Sequence, residues 1–238
     1  MKRSVLIAVL ALLGASTAQA TLFDFTTGAP NINDFGNYLE KTVDGITVQV
    51  RGFSVNGSGD FTESRVRVFS TGIGTCASSE TGSGCDPRQH TVDNDGRDEF
   101  LLITVTGGGP VLLTEAIITA WSTDYDATFW SGAGQLVSLL GLDVLDLDNA
   151  YGRHHSEWDN LNDPANTGDE RPVSLAAIES PVHWLVFGTQ PSEGNDKFKF
   201  KSLSLTVPQE DAPEPGVLLL LGIGTALLAA RSRKRRQR

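Results

Sequence analysis

Short runs in which apolar and polar residues alternate dominate residues 46–207, and long helical periodicity is scarce. Ile46 to Val50 is one such run, and Arg65 to Val68 is another. Successive side chains of a β-strand point to opposite faces, so a period of two indicates strands with one buried face. Clusters of Gly, Asn, Asp and Ser separate the runs and predict loops. The pattern predicts an all-β domain over residues 21–207, an antiparallel β-sandwich that is jelly-roll-like.

The final alternating run changes parity part of the way along. Phe198 and Phe200 share one face of a regular strand, with lysines on the other, whereas Leu203 and Leu205 have the opposite parity. A shift of one residue moves every later side chain to the other face of a sheet. A β-bulge at Lys201-Ser202 would bring both pairs of apolar residues to one face, and we predict a bulge there.

The N-terminus has the parts of a secretory signal peptide. Two basic residues precede an apolar stretch from Val5 to Ala15, and Ala18 and Ala20 then supply small residues at the two positions that a signal peptidase reads. The alternative, an N-terminal membrane helix, needs a longer apolar stretch than this one. We therefore predict that signal peptidase removes residues 1–20 and that the chain is exported.

The C-terminus combines a proline motif, a short apolar run and a basic end. Pro213, Glu214 and Pro215 close a linker over residues 208–215, and the apolar run follows over residues 216–230. A helix of that length spans roughly 22 Å at about 1.5 Å per residue, whereas the hydrocarbon core of a bilayer is about 30 Å thick. The run is predicted to be a transmembrane helix that is short for a permanent anchor.

Six Lys and Arg residues occupy the eight positions after the apolar run, residues 231–238, and predict a cytoplasmic end for the helix. The proline motif, the apolar run and the basic end together resemble the PEP-CTERM sorting signal, which substrates of exosortases carry in Gram-negative bacteria. The resemblance implies processing by an exosortase-type enzyme near Pro213–Pro215. It also implies transfer from an inner-membrane intermediate to the cell surface or exterior, often in species that make exopolysaccharide. The alternative is an ordinary C-terminal membrane anchor with a proline-rich neck.

Several segments in the middle of the chain carry a second resemblance. They are His90–Asn94, Asp98–Leu102, Val111–Leu113, Ser122–Asp126, His183–Val186 and Lys197–Lys199. Together they are similar to a family of exosortase-dependent surface proteins, and the resemblance covers most of residues 75–207. It implies no activity and no catalytic residue, because sorting rather than chemistry defines that family.

Cys76 and Cys85 are the two cysteines of the chain, and both lie in the exported part. The residues between them are rich in Ser, Gly and Thr. An oxidising compartment favours a disulfide between the two, which would close a short loop rather than link parts of the core. A metal-binding or redox pair is the alternative, but it lacks the CxxC spacing.

The exported part of the chain is strongly acidic. The whole chain has 19 Lys and Arg residues and 29 Asp and Glu residues, and eight of the basic residues but none of the acidic ones lie in the two end segments. The exported part therefore has 11 basic and 29 acidic residues, a net charge of −18. This charge disfavours nucleic acid as a partner and is compatible with divalent cations or a cationic matrix component.

One acidic segment has the composition of a calcium-binding loop. Asp93, Asp95 and Asp98 surround Gly96, and Ca²⁺ takes six to eight oxygen ligands. The EF-hand pattern does not fit, because its first ligand position would fall on Thr91. The alternative is an acidic turn that leads into the next strand. No other cofactor is expected.

Two of the four tryptophans, Trp130 and Trp158, lie in less apolar surroundings than the others. An exposed indole ring has a large flat surface that can stack on a ligand. Trp130 and Trp158 are therefore candidate ligand-stacking residues, with a sugar ring as the expected ligand.

Sequence patterns typical of catalysis are absent, since the chain has neither GxSxG nor a glycine-rich phosphate loop. The leading hypothesis is a non-catalytic β-sandwich at the cell surface or in the extracellular matrix, associated with exopolysaccharide or a biofilm. A carbohydrate-binding module, with or without Ca²⁺, is the first alternative. A glycan hydrolase is the second, and it requires two acidic side chains in one cleft with the pKa of one of them raised.

Overall fold

The computed structural model describes residues 20–27, 36–77, 91–94, 96–121, 125–156, 168–191, 194 and 196–208. Within these ranges the chain forms thirteen β-strands and one α-helix. The first six strands are β1 (Ala20–Asp24), β2 (Tyr38–Val43), β3 (Ile46–Val55), β4 (Phe61–Phe69), β5 (Gly72–Cys76) and β6 (Val92–Asp93). The later elements are β7 (Glu99–Gly107), β8 (Leu112–Ala120), β9 (Ala127–Gly132), α1 (Val144–Tyr151), β10 (His154–Ser156), β11 (Glu170–Ser174), β12 (Trp184–Gly188) and β13 (Lys197–Thr206).

The two end segments of the chain lie outside the described residues. These segments are the signal peptide before Ala20 and everything after Pro208, which includes the proline motif and the apolar run. The described part of the chain contains no helix with the length and hydropathy needed to cross a bilayer. The signal peptide and the C-terminal helix therefore stay predictions as structural elements.

The strands form two antiparallel sheets. Sheet 1 contains β1, β5, β6, β8, β11 and β13, and sheet 2 contains β2, β3, β7, β9, β10 and β12. The strand β4 joins the sheets, because its first half pairs with β3 and its second half with β5. The predicted all-β antiparallel sandwich is confirmed, and the shared strand gives it a barrel-like, nearly closed form.

The main hydrophobic core lies between the two sheets. Val48 and Val50 of β3 are fully buried there, as the period of two predicts. Phe187 of β12 packs edge-on against Phe198 and Phe200 of β13, with ring centres 5.7 and 5.0 Å apart. Aromatic rings from facing strands therefore connect sheet 2 to sheet 1.

The predicted β-bulge in β13 is confirmed. The pairing of β13 with β8 changes register between Phe200 and Ser202. Phe198, Phe200, Leu203 and Leu205 are consequently all buried, although their parity differs. A regular strand would have turned one of these pairs away from the core.

Part of the outer face of sheet 2 is also buried. Phe100 and Leu102 of β7 alternate with core residues and belong to a second hydrophobic cluster, together with Trp130 and Trp184. The connection over residues 133–142 and α1 contribute further apolar side chains to this cluster. They form a partial third layer over sheet 2, so β7, β9 and β12 are buried on both faces.

Candidate functional site

One end of the sandwich collects the loops that lead into β4, β7, β9 and β13. Register places the strand ends side by side there, since Ser54 pairs with Glu99 and Gly188 pairs with Phe100. A cleft of about 450 Å³ opens between the loops before β4 and β7, and we term it the loop-end cleft. Its lining residues are Val55, Asn56, Gly57, Asn94, Gly96, Arg97 and Asp98.

Hydrogen bonds donated by backbone N–H groups hold the walls of the loop-end cleft. The side-chain oxygen of Asn56 accepts hydrogen bonds from the backbone N–H groups of Ser58, at 2.8 Å, and Asp60, at 3.1 Å. This is an Asx turn, a local structure that asparagine favours. The backbone N–H of Val55 donates to the carbonyl oxygen of Asp98 at 2.9 Å. The turn before β4 is thereby tied to the loop before β7.

Asp196 connects three of the loops around the cleft. Its side chain is fully buried, and its carboxylate accepts hydrogen bonds from the side-chain amide of Asn94, at 2.8 Å, and from the backbone N–H groups of Asp126, at 3.0 Å, and Gln190, at 3.2 Å. A buried carboxylate requires such donors, because it has left the hydrogen bonds of water. Asp196 therefore fixes the position of Asn94 in the cleft wall.

Two of the residues predicted to bind calcium have different surroundings in the structure. Asp98 lines the loop-end cleft, and burial raises the pKa of its carboxyl group. Asp93 does not line it, and its carboxylate accepts a hydrogen bond from the hydroxyl group of Thr91 at 2.7 Å. Among the described residues no group of three or more His, Cys, Asp or Glu side chains could hold a metal ion. Asp95 lies outside those residues, so the calcium site stays a prediction.

Asp98 also lines a neighbouring cleft of about 350 Å³, together with Asp143, Asp148 and Arg153. Asp143 is the N-cap of α1 and accepts a hydrogen bond from the first turn of the helix. Asp148 accepts hydrogen bonds from Arg153 Nε, from Arg153 Nη2 and from the indole N–H of Trp130. Burial alone would raise the pKa of Asp148, but these hydrogen bonds outweigh burial and lower the pKa.

The pKa values of Asp98 and Asp148 are therefore shifted in opposite directions beside one cleft. Two carboxyl groups with separated pKa values are what paired-carboxylate hydrolysis requires. However, both oxygens of Asp148 already accept hydrogen bonds from protein groups, and one pair of these bonds is a salt bridge with Arg153. These bonds hold Asp148 in a structural role and compete with any role as nucleophile or base.

Trp130 is fully buried, which corrects the prediction that it stacks on a ligand. Its ring centre lies 5.8 Å from that of Phe100, and its indole N–H donates to Asp148 at 2.9 Å. The less apolar sequence around Trp130 predicts exposure, but residues 133–142 and α1 cover this face of sheet 2. Trp158 lies outside the described residues, so its role stays a prediction.

The sequence did not single out Asn56 and Arg97, which line the loop-end cleft. Each stands in a turn just before a strand, β4 in one case and β7 in the other. Because both strands begin at the same end of the sandwich, their preceding turns meet. The period-two pattern predicts the strands, but not which strand ends become neighbours.

Cys76 is fully buried at the end of β5, and its sulfur is not a free thiol. Its predicted partner Cys85 lies outside the described residues. The pairing of Cys76 with Cys85 therefore stays a prediction.

Comparison with known proteins identifies the C-terminal part of the chain. Residues 211–236 match the family model described as the PEP-CTERM protein-sorting motif. The match includes Pro213–Pro215, the apolar run and most of the basic end. No curated protein and no solved structure matches the chain significantly.

Proposed function

This chain is a PEP-CTERM protein, and we propose that its β-sandwich is a non-catalytic component of the cell surface or extracellular matrix that associates with exopolysaccharide. The motif implies export across the membrane and processing by an exosortase-type enzyme. The position of the motif carries the proposal, because β13 ends at Thr206 and the motif begins at residue 211. Cleavage within the motif therefore leaves every strand of the sandwich on the exported side.

The hydrogen bonds and the ion pair formed by three acidic side chains support a non-catalytic role. Asp143 caps α1, Asp148 pairs with Arg153, and Asp196 satisfies donors from three loops. Catalytic carboxylates need oxygens that can reach a substrate. These three carboxylates instead accept hydrogen bonds that hold the fold together.

The sorting step is tested by mass spectrometry of the C-terminus in fractions of the native host. We expect the protein outside the cell to end near Pro213, and a host without its exosortase-type enzyme to keep the chain in the inner membrane with Arg238 present. Replacing Pro213, Glu214 and Pro215 together with Ala is expected to block processing. The matched control is Pro208→Ala, which changes a linker proline upstream of the motif. Full-length chain stably retained in the wild-type inner membrane would contradict the proposal.

A host strain that makes no exopolysaccharide separates association from sorting. Processing at the C-terminus should continue in that strain, because it depends on the enzyme and the motif. The processed protein should move from the cell-bound fraction to the medium, since its matrix is missing. An unchanged cell-bound fraction would show that the association is wrong while the sorting stands.

Carbohydrate binding in the loop-end cleft is the second candidate function. The cleft presents the guanidinium group of Arg97 and the carboxyl group of Asp98, which supply donors and an acceptor of the kind that sugar hydroxyl groups use. A glycan array probed with the exported, processed protein tests this role. Arg97→Gln should reduce any signal, whereas Arg51→Gln on β3, outside the cleft, should not. An array without hits would exclude binding to the glycans on it.

A further inference from the structure

The predicted signal-peptide cleavage site lies at the start of a strand in the folded sandwich. Ala20 is the first residue of β1 and pairs with Thr206, and Thr21 pairs with Leu205. Ala20 is exposed, whereas Thr21 is only 6% exposed. Cleavage after Ala20 therefore makes Thr21, a buried residue of sheet 1, the first residue of the processed chain.

Thr21 forms a hydrogen bond with an acidic side chain, Asp44, which lies in a turn of sheet 2. The hydroxyl group of Thr21 donates a hydrogen bond to Asp44 Oδ2 at 3.3 Å. Asp44 and Gly45 form the tight turn between β2 and β3, with φ values of 51° and 79°. Two consecutive positive φ values are what a type I′ hairpin turn requires. The turn therefore places Asp44 near the start of β1, and the hydrogen bond holds its carboxylate beside the first residue of the processed chain.

We propose that Asp44 binds the α-ammonium group that signal-peptide removal creates on Thr21. This inference rests on the predicted cleavage after Ala20 and is independent of sorting at the C-terminus. Hydrolysis of the Ala20–Thr21 bond adds water: the carboxylate leaves with the signal peptide, and the Thr21 nitrogen becomes an ammonium group. That nitrogen belongs to the same residue as the hydroxyl group that already contacts Asp44, so the new positive charge arises three covalent bonds from the oxygen that forms this contact.

The charges around Asp44 favour this partner. Among the described residues no Lys, Arg or His side chain forms an ion pair with Asp44. Processing converts a neutral amide into a cation, in a part of the chain whose net charge is −18. The chain therefore gains a positive charge beside Asp44, an acidic side chain that forms no ion pair with another described residue.

The ion pair would join the two sheets at an open edge of the sandwich. The strand β1 pairs with β13 and with no other described strand, so its first residues are the ones most prone to fray. The side chain of Lys41 on β2 also donates to the backbone oxygen of Asp24 at the far end of β1. With the ammonium of Thr21 bound to Asp44, both ends of β1 are fastened to the β2–β3 hairpin.

Thermal unfolding of the processed protein, purified from the exterior of the native host, tests the proposal. The N-terminus is first identified by mass spectrometry, and the Tm is then measured at pH 6 and pH 9.5 for wild type and Asp44→Asn. An α-ammonium group has an ordinary pKa of about 7.7–8.0 and is therefore charged at the lower pH. We expect the wild-type Tm to exceed that of Asp44→Asn by about 2–4 °C at pH 6.

The sign of the pH effect follows from the charge of the group. A carboxylate partner raises the pKa of an ammonium group in the folded state, so its stabilisation is full below the unfolded pKa and is lost as pH rises through the folded pKa. The difference between wild type and Asp44→Asn should accordingly disappear by pH 9.5. Asn tolerates positive φ and forms type I′ turns with Gly, so the variant keeps the hairpin.

Other titratable groups are shared by both proteins and cancel in the comparison. The strands that contact Thr21 and Asp44 carry Asp24 on β1, Tyr38, Glu40 and Lys41 on β2, Arg51 on β3, and Lys197, Lys199 and Lys201 on β13. Glu40→Gln removes one negative charge from the same hairpin and is the matched control, for which we expect no pH-dependent loss. A pH dependence equal in wild type and Asp44→Asn, or an N-terminus other than Thr21, would overturn the proposal.

Discussion

The ammonium nitrogen of Lys199 lies 4.0 Å from the centre of the indole ring of Trp121. It also lies 3.9 Å from the ring centre of Phe69, and the side chain is only 2% exposed. Two effects oppose each other here. Burial favours the neutral amine and lowers the pKa of Lys199 to about 8, whereas the ring faces attract a cation. Sheet 1 therefore buries a positive charge at a cost that the two rings partly offset.

Replacing Lys199 with Met should reveal this cost as a dependence on pH. Met keeps an unbranched apolar side chain between the rings and removes the charge. The folded pKa is about 8, below the ordinary value, so the unfolded chain holds the proton more strongly and the stability of wild type rises between pH 8 and about pH 10.4. Urea unfolding at pH 7 and pH 10.5 should show wild type gaining on the order of 1–3 kcal/mol relative to Lys199→Met.

Lys201→Met is the matched control for that measurement. Lys201 lies two residues along the same strand and forms a salt bridge with Glu170 instead of a contact between rings. Its loss removes a lysine from β13 without emptying the space between Phe69 and Trp121. Between pH 7 and pH 10.5, wild type should gain little stability relative to Lys201→Met. If it gained as much relative to Lys201→Met as relative to Lys199→Met, the effect would not come from Lys199.

The strand β13 shows which parts of the fold the sequence predicts. The parity change after Phe200 predicts the bulge correctly, because the apolar residues of the strand itself must all reach the core. The same pattern correctly places Lys199 on the face of β13 that points away from the core. It does not predict that other side chains bury Lys199 on that face. The cover comes from Phe69 at the end of β4 and Trp121 after β8, and no pattern within β13 contains this information.

The candidate site shows a similar division. Asp98 could be singled out from a local acidic motif, and it lines the loop-end cleft. The sequence around Trp130 is less apolar than that around Trp121 or Trp184 and predicts exposure, yet a layer that follows Trp130 in the chain buries it. Local composition predicts turns and strands, whereas exposure in this sandwich depends on which segments fold back over sheet 2.

Gly188 of β12 lies in close contact with β7, and Gly188→Ala should destabilise the sandwich. A Cβ atom at this position would lie less than 3.0 Å from the ring of Phe100 and from the backbone oxygen of Glu99. A buried backbone oxygen cannot move without disturbing the sheet, so we expect a loss of about 2–4 kcal/mol in the free energy of unfolding. Urea denaturation of the exported protein measures it.

Gly134→Ala provides the comparison for this steric argument. A Cβ atom at Gly134 meets no atom within 4 Å. Its effect on the free energy of unfolding should stay within about 0.5 kcal/mol. If both alanine variants unfold at the same urea concentration as wild type, the close packing of β12 against β7 is not what constrains residue 188.

Asp196→Asn should weaken the framework behind the loop-end cleft. One carboxylate oxygen of Asp196 accepts from Asn94 and Gln190, and the other accepts from the backbone N–H of Asp126. An amide NH₂ group at either position would face a donor, which leaves buried polar groups unsatisfied. We expect a loss of about 2–4 kcal/mol by urea unfolding, most of it from those groups.

An exposed carboxylate separates this loss from the general effect of removing a charge. Asp169 forms a long salt bridge of 3.7 Å with Arg171, and its side chain is 44% exposed. Asp169→Asn should therefore cost less than about 1 kcal/mol. Equal losses from Asp169→Asn and Asp196→Asn would mean that the hydrogen bonds of Asp196 are not the cause.

The Asp148–Arg153 salt bridge should stabilise the protein above, but not below, the acidic range. Hydrogen bonds from Arg153 and Trp130 lower the pKa of Asp148 against the effect of burial, so this stabilisation is full above the unfolded value of about 3.9 and is lost as pH falls through the folded value. Both side chains are partly exposed, 25% for Asp148 and 36% for Arg153, so solvent screens the pair. We expect Arg153→Gln to cost about 0.5–1 kcal/mol at pH 7 and to match wild type near pH 2. Tm measured across this pH range is the test. The guanidinium group of Arg153 also lies over the ring of Trp130, 5.6 Å from its centre. A constant difference between the two proteins would show that Arg153 acts through this contact and not through the charge of Asp148.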